Sequence, residues 1–361
     1  MTTYKATYID DFRGEATKVI KRLNAVGGLD VHYLAPLPDL SLTGIRPGTQ
    51  MFLVDWDLSG RQESGIQVDY HGGTFAQRLR EKFSNMPIIL TANEHLLAQG
   101  RRVANPSLFD GEILKDEMVK APESVVKKCL NLITGYQKLI QAPKTWQGLM
   151  AVLGAQQDEE EQIGEASPPL LKLNGETTWL VPEMAKWIQE VLLAYPGILY
   201  DSLHAATYLG ITVNEFFSPD IQKLFQDAHY TGTLAPAEGR WWKNRLLSYA
   251  MDLIIETDIR GSSVNKHFAK AFKLIHGREL ELAECVYSKK KPASRVCYVL
   301  KKPVRIEHSL AYVPDNRPLV MDGARVSFTA IRTSDEVFDE YFDAAHRHLV
   351  DDVRAGSEDE F

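Results

Sequence analysis

Phe52-Leu53-Val54-Asp55-Trp56-Asp57-Leu58-Ser59 is the stretch on which the fold turns. Three apolar residues without polar alternation read as a strand buried on both faces, the pattern of a central strand in a parallel sheet. The run ends in Asp55, so a carboxylate is delivered to the carboxyl edge of that sheet, where open α/β folds gather their chemistry. Three neighbouring pieces repeat the design. Tyr8-Ile9-Asp10-Asp11 lies upstream, and Ile89-Leu90-Thr91-Ala92 and Ile113-Leu114-Lys115 lie downstream. Val31 to Leu34 completes five strands. Helical spacing fills the intervals: Gly14 to Val26 sets Ala16, Val19, Ile20 and Leu23 on one face, and Gly27-Gly28 stops it. Further helices are predicted over Thr74 to Phe83, Glu94 to Arg102 and Pro122 to Ile140. The proline-rich stretch Ala35 to Gly48 is poor helix material, so a helix there is expected to be short or frayed.

Asp10, Asp11 and Asp55 at one edge repel one another and raise each other's pKa unless a cation neutralises them. A hard divalent ion with oxygen ligands, most naturally Mg²⁺, resolves this. The ammonium of Lys115 and the hydroxyl of Thr91 are then placed to hold the oxygens of an incoming phosphoryl group.

On these residues, positions 1 to about 130 resemble the receiver domain of two-component response regulators. The resemblance implies that Asp10 and Asp11 are the metal-binding acidic pair and that Asp55 is the phosphoacceptor of a histidine kinase. It further implies that Thr91 and Lys115 complete the switch, and that Asp57, two residues after the acceptor, contributes a backbone ligand to Mg²⁺. Several positions depart from the family pattern. Asp116 replaces the usual proline after the lysine, adding a negative charge near the phosphate site. Glu112 stands where an aromatic is usual, with Phe109 off register. Ser59 replaces a common proline. The long loop from Gly60 to Gly73 carries Arg61, Glu63, Asp69 and His71 over the mouth of the site. An inert pseudo-receiver scaffold is the alternative that these departures keep open.

The 361 residues exceed one receiver, and a composition 44% hydrophobic and 25% charged suits a chain able to bury a core. No apolar run reaches the roughly 18 residues that span a bilayer, and Met1-Thr2-Thr3-Tyr4-Lys5 lacks a signal peptide's apolar segment. The expectation is a cytoplasmic protein without a membrane partner. Cys129, Cys285 and Cys297 are too scattered for a zinc site or disulfide framework and are read as buried thiols. A net charge of −7 argues against indiscriminate nucleic-acid binding. Yet Arg240 to Arg305 holds 15 Lys/Arg against 6 Asp/Glu, and Asp335 to Phe361 holds 2 against 10.

The expected organisation is a doubly wound α/β receiver over 1–140 and a linker over 141–176, mobile around Gln156 to Pro169. A mainly helical α+β output domain with a small antiparallel sheet follows over 177–354, helical over 177–280 and α+β over 281–354, with a disordered acidic tail over 355–361. Within the output domain, Pro182 to Ala194 and a helix opening at Arg240 are amphipathic, and Val264 to His276 carries Lys266, Lys270 and Lys273 on one face. Adjacent Trp241 and Trp242 cannot both face one core from a helix, so one is expected at an interface or stacked on Arg240 or Arg245. Ala205 to Phe217 has a weak helix-turn-helix look, but its second helix offers bases only Asn214 beside an unfavourable Glu215. β-type runs fall at Val296 to Leu300, His308 to Val313 and Arg325 to Ile331, and a helix at about Ser334 to Arg354.

The second half carries no glycine-rich phosphate loop, no His-Glu-x-x-His, no Gly-x-Ser-x-Gly and no spaced Cys/His pairs. Asp315, Arg317, Asp322 and Arg325 read as a turn held by ion pairs. No positive sign of catalysis is present beyond the receiver's own phosphorylation and dephosphorylation. The functional expectation is a signalling protein whose phosphorylation controls an effector protein by contact, with self-association into a homodimer as one outcome and a stress or phage-defence setting. The competing readings are a nucleic-acid-binding regulator using residues 240–305 and an output enzyme without a linear motif.

Overall fold

A computed structural model describes residues 2–60, 62, 64–94, 96, 106–173, 176–194, 196–261, 263–313, 322–334, 337 and 339–357. The chain divides into two compact units, Met1–Val152 with Pro169–Ile188, and Leu153–Pro168 with Gln189–Phe361.

The first unit is built on five parallel strands, β1 (Tyr4–Ile9), β2 (Leu29–Leu34), β3 (Met51–Asp55), β4 (Ile88–Ala92) and β5 (Gly111–Leu114), in the order β2-β1-β3-β4-β5. Every residue of β3 and β4 is buried, which is why these strands read as unbroken apolar runs. The order places β1 and β3 side by side at the point where the winding reverses, so their carboxyl ends flank a crevice. Helix α1 (Arg13–Val26) buries Ala16, Val19 and Leu23 and ends at Gly27, whose φ of 88° suits a residue without a side chain. Helix α2 (Gly72–Lys82) follows the long loop, and α3 (Lys115–Lys120) and α4 (Pro122–Gln141) follow β5.

Three features differ from expectation. Between β2 and β3 the chain forms turns and no helix at all, since Pro36, Pro38 and Pro47 remove amide donors that a helix needs. The fifth strand stops at Leu114, and Lys115 opens α3. The supposed linker is structured: it contains α5 (Trp146–Leu153), α6 (Glu160–Glu165) and a hairpin of β6 (Leu171–Leu173) with β7 (Glu176–Thr178). Helix α7 (Val181–Trp187) packs against α4. The predicted fourth receiver helix, Glu94 to Arg102, lies almost wholly outside the described residues.

The second unit opens with the stretch expected to be mobile. Glu159 and Ile163 are buried there, and Glu159 Oε1 and Oε2 each accept from the Arg245 guanidinium at 2.7 Å. Acidic composition misled because one of its carboxylates has a buried cationic partner far along the chain. Helices α8 (Ser202–Leu209), α9 (Val213–Phe216), α10 (Pro219–Leu224), α11 (Lys243–Glu256) and α12 (Val264–His276) follow in chain order, and all five contribute to one aromatic-rich core with Phe216, Phe225, Phe268 and Phe272. Trp241 and Trp242 form strand β9, paired with β8 (Leu199–Tyr200), instead of opening a helix. On a strand, successive side chains take opposite faces. Both indoles are therefore buried, Trp241 edge-on to Phe216 and Trp242 edge-on to Tyr230 with the Arg245 guanidinium 5.0 Å from its ring centre. Neither sits at a surface.

The final section holds two separate strand pairs, β10 (Arg295–Val296) with β11 (Pro303–Val304) and β12 (Ser309–Tyr312) with β13 (Ala324–Ser327). The run Arg325 to Ile331 is half strand and half helix, because the Ser327 hydroxyl accepts from the Ala330 amide and caps α13 (Phe328–Thr333). Instead of one helix over Ser334 to Arg354, a 3₁₀ turn at Asp339–Tyr341 precedes α14 (Leu349–Ala355). Asp315, Arg317 and the acidic end beyond Ser357 lie outside the described residues. Among the described residues no helix is long and apolar enough to cross a membrane, and all three cysteines are buried and free.

Candidate functional site

Asp10, Asp11 and Asp55 meet at the carboxyl edge of the first sheet, each offering an oxygen within 4.8 Å of the others. β1 and β3 are hydrogen-bonded neighbours, so side chains that end these strands must meet. Asp10 is almost fully buried. Its Oδ1 accepts from the Phe12 amide at 2.7 Å, and its Oδ2 from the Tyr8 phenol at 2.7 Å. Tyr8 was not among the residues singled out in the sequence, although the strand period of two puts it on the same face as Asp10.

Lys115 enters from the start of α3 and bridges the two buried acids, its Nζ 2.7 Å from Asp55 Oδ2 and 2.9 Å from Asp10 Oδ2. Burial pushes Asp55 to about 8, opposed by Lys115 and reinforced by Asp10 and Asp11. Burial also opposes the charge on Lys115, but Asp55 and then Asp10 outweigh it and hold the ammonium's pKa above its ordinary value. Asp11, half-buried, is raised by desolvation and by Asp10, while the Gly60 amide opposes that shift. The mutual repulsion expected from the sequence is thus present and only part-neutralised by the lysine.

Among the described residues, two buried oxygens at this edge have no hydrogen-bond partner, Asp55 Oδ1 and Thr91 Oγ1. Asp55 and Thr91 are register partners across β3 and β4. A pair of orphaned polar atoms side by side in a buried acidic pocket is costly unless a ligand completes them. A hard cation with oxygen ligands fits this donor set, through Asp10, Asp11 and Asp55. The Asp57 side chain is turned away: its Oδ1 accepts from the Ser59 amide at 3.0 Å and hydroxyl at 2.6 Å, and the Ser59 hydroxyl first of all holds its pKa below the usual range. Its carboxylate stands outside the three-acid cluster.

Asp116 does not add charge at the site. It is exposed and paired with Lys120 at 2.7 Å, one helical turn along α3. Phe109 lies in the same buried cluster as Trp56 and Leu58. The long loop is pinned to the body of the unit: Gln62 Nε2 donates to the Pro36 carbonyl, Tyr70 Oη to the Leu37 carbonyl at 2.6 Å, and Val68 is buried. His71 stacks on Trp56, rings 5.4 Å apart and nearly parallel, and Asp69 is exposed. Arg61 and Glu63 lie outside the described residues. At the opposite end of the strands a second buried group escaped sequence reading. Asp110 accepts from Arg80, from the Tyr136 phenol and from the Ile88 amide, tying α2 and α4 to the sheet.

A strand order of 2-1-3-4-5 with acids at the β1/β3 crevice settles the architecture. The first unit has the receiver fold. Solved receiver domains are similar to it: a CheY-like domain from Methanospirillum hungatei (15% identity, covering 38% of this chain and 98% of that one, TM-score 0.28), one from Methylobacillus flagellatus (16%, 35% and 98%, 0.27), and the BeF3-activated receiver domain of DrrB (15%, 37% and 99%, 0.27). No family model matches the sequence. No curated protein matches it either. The second unit stays without a recognised family.

Several cations of the second unit's basic region are engaged in internal contacts. Arg240 donates to the Leu193 carbonyl, Lys243 lies 2.5 Å from Asp322, Arg245 holds Glu159, and Arg278 holds Glu215 and Asp220. Glu215, which sequence reading set beside Asn214 on a recognition helix, is therefore an ion-pair partner on the four-residue helix α9.

Proposed function

We propose that the first unit is a phosphorylatable receiver and that the second is its output, acting through contact with an effector protein or a second copy of the chain. The observation that carries this reading is the convergence of Asp10, Asp11 and Asp55 on one pocket, with the Lys115 ammonium 2.7 Å from Asp55. Asp55 supplies the attacking carboxylate oxygen. A new bond forms to the phosphorus of a histidine kinase's phosphohistidine, the phosphorus–nitrogen bond breaks, and its electron pair returns to the imidazole. Mg²⁺ bound by Asp10, Asp11, Asp55 and the Asp57 backbone would neutralise the acids and the transferring oxygens.

Lys115 balances the charge left on the aspartyl phosphate, and the Thr91 hydroxyl donates to one of its oxygens. Drawing both inward shifts β5 and α4, the face through which the output is controlled. Incubation with Mg²⁺ and acetyl phosphate tests this: intact mass gains one phosphoryl group, lost on Asp55→Asn, and Trp56, beside the acceptor, changes fluorescence with beryllofluoride. No mass gain and no fluorescence response would leave an inert scaffold.

A further inference from the structure

The second unit encloses a cavity of about 520 Å³ that the receiver chemistry does not use. Its wall carries Asp201, His204, Tyr208, Arg295, Lys301 and Asp322. The two acids are already satisfied. Asp322 accepts from Lys243 at 2.5 Å, from the Tyr208 phenol at 3.0 Å and from the Tyr200 phenol. Asp201 caps α8 through the His204 amide at 2.8 Å and faces the His204 Nδ1 at 2.9 and 3.0 Å.

The cations are in the opposite condition. Arg295 lies over the Tyr208 ring at 4.8 Å and donates to the Ser294 carbonyl, and Lys301 lies over the Tyr298 ring at 4.4 Å. Among the described residues neither has a carboxylate partner. Beside Arg295, Arg325 donates to the Ser309 hydroxyl at 2.7 Å and to backbone carbonyls, with no acidic partner among the described residues. Burial, and then the like charge of Arg295, hold its pKa below the ordinary arginine value. Arg325 has lost hydration and is repelled by Arg295, and an anion in the cavity offsets both effects.

We propose that this cavity is a binding site for a phosphorylated small molecule, gripped by Arg295 and Lys301. A guanidinium presents a planar fork to phosphate oxygens, and a lysine adds a mobile point charge. His204 lines the same wall, with its Nδ1 committed to Asp201. The volume lies within the range that encloses nucleotide-sized ligands. Receiver phosphorylation and ligand occupancy would then be two separate inputs to one chain.

Isothermal titration of the full chain with pyrophosphate and with ATP, in EDTA so that the receiver's acidic pocket holds no metal, tests the proposal. Both probes are expected to bind. Arg295→Ala with Lys301→Ala weakens binding about tenfold or more, the loss of a charge-assisted hydrogen bond. Lys289→Ala with Lys290→Ala, exposed cations outside the cavity, leaves it unchanged. Lys301→Ala alone removes an exposed side chain and keeps the test intact if the double variant misfolds. Failure of both probes to bind at millimolar concentration, an equal loss in the control pair, or citrate binding as tightly as pyrophosphate would overturn it.

Discussion

Lys115 donates to Asp55 at 2.7 Å across a sequence separation of 60 residues, and the same ammonium reaches Asp10. One cation therefore serves two buried acids, and the second oxygen of Asp55 has no partner among the described residues. The pocket is charged and only part-neutralised by the lysine, a condition that the proposed uptake of a metal would relieve.

Removing that ammonium should strike transfer harder than folding. Lys115→Ala is expected to slow Mg²⁺-dependent labelling by acetyl phosphate by roughly 10²-fold, the effect of deleting one preorganised charge donor. Labelling rates followed by intact mass decide it, and a loss smaller than about threefold would remove Lys115 from the mechanism.

Asp55 makes metal-free stability fall with pH. Its pKa is near 4 when unfolded and about 8 in the folded chain, so folding takes up a proton between these values. The contribution is fully present below the unfolded value and is lost as pH rises through the folded one. Asn mimics the protonated form. In EDTA, Asp55→Asn should melt above the native chain at about pH 9, and the two should converge at about pH 5. Equal melting temperatures at both values would contradict the burial argument.

Two glycines at the site should respond differently to alanine. A Cβ at Gly72 would lie 2.0 Å from the backbone carbonyl oxygen of Asp55, which can move only with its strand. Gly72→Ala should cost about 1–3 kcal/mol in urea melts. At Gly60 the Cβ would meet the end of the Asp11 side chain at 2.0 Å. Asp11 can swing away, so Gly60→Ala should weaken Mg²⁺ binding, read by fluorescence titration, while leaving stability almost unchanged.

The Glu159–Arg245 pair is the clearest test of the second unit's architecture. Both side chains are about nine-tenths buried or more, and Arg245 also donates to the Gly154 carbonyl. Glu159→Met strands a buried guanidinium and should cost roughly 3–5 kcal/mol. Adding Arg245→Met should recover much of that loss, because two apolar side chains avoid the desolvation of both ions. Chemical denaturation of the two single variants and the double variant measures the coupling.

Much of the receiver was legible in the chain. Apolar runs ending at Asp10, Asp55, Thr91 and Leu114 encode strand type and edge chemistry locally, since burial on both faces forbids polar alternation. Helix stops such as Gly27 are equally local. Tyr8 was legible too, through its two-residue spacing from Asp10, but a lone tyrosine in an apolar run carries no sign of the carboxylate it will meet.

What the sequence alone determined is the kind of each element in the first sheet and the identity of the groups at its edge, because strand periodicity and burial act over a few residues. Tertiary structure alone decided which charges meet. It turned Asp116 to solvent and Asp57 toward Ser59, buried Glu159 against a guanidinium 86 residues away, placed both Trp241 and Trp242 inside, and set Arg295 and Lys301 on the wall of a cavity with no carboxylate partner among the described residues. The reason is physical: a charge's partner is set by distance in space and by the solvent it has lost, and neither quantity is written in its neighbours along the chain.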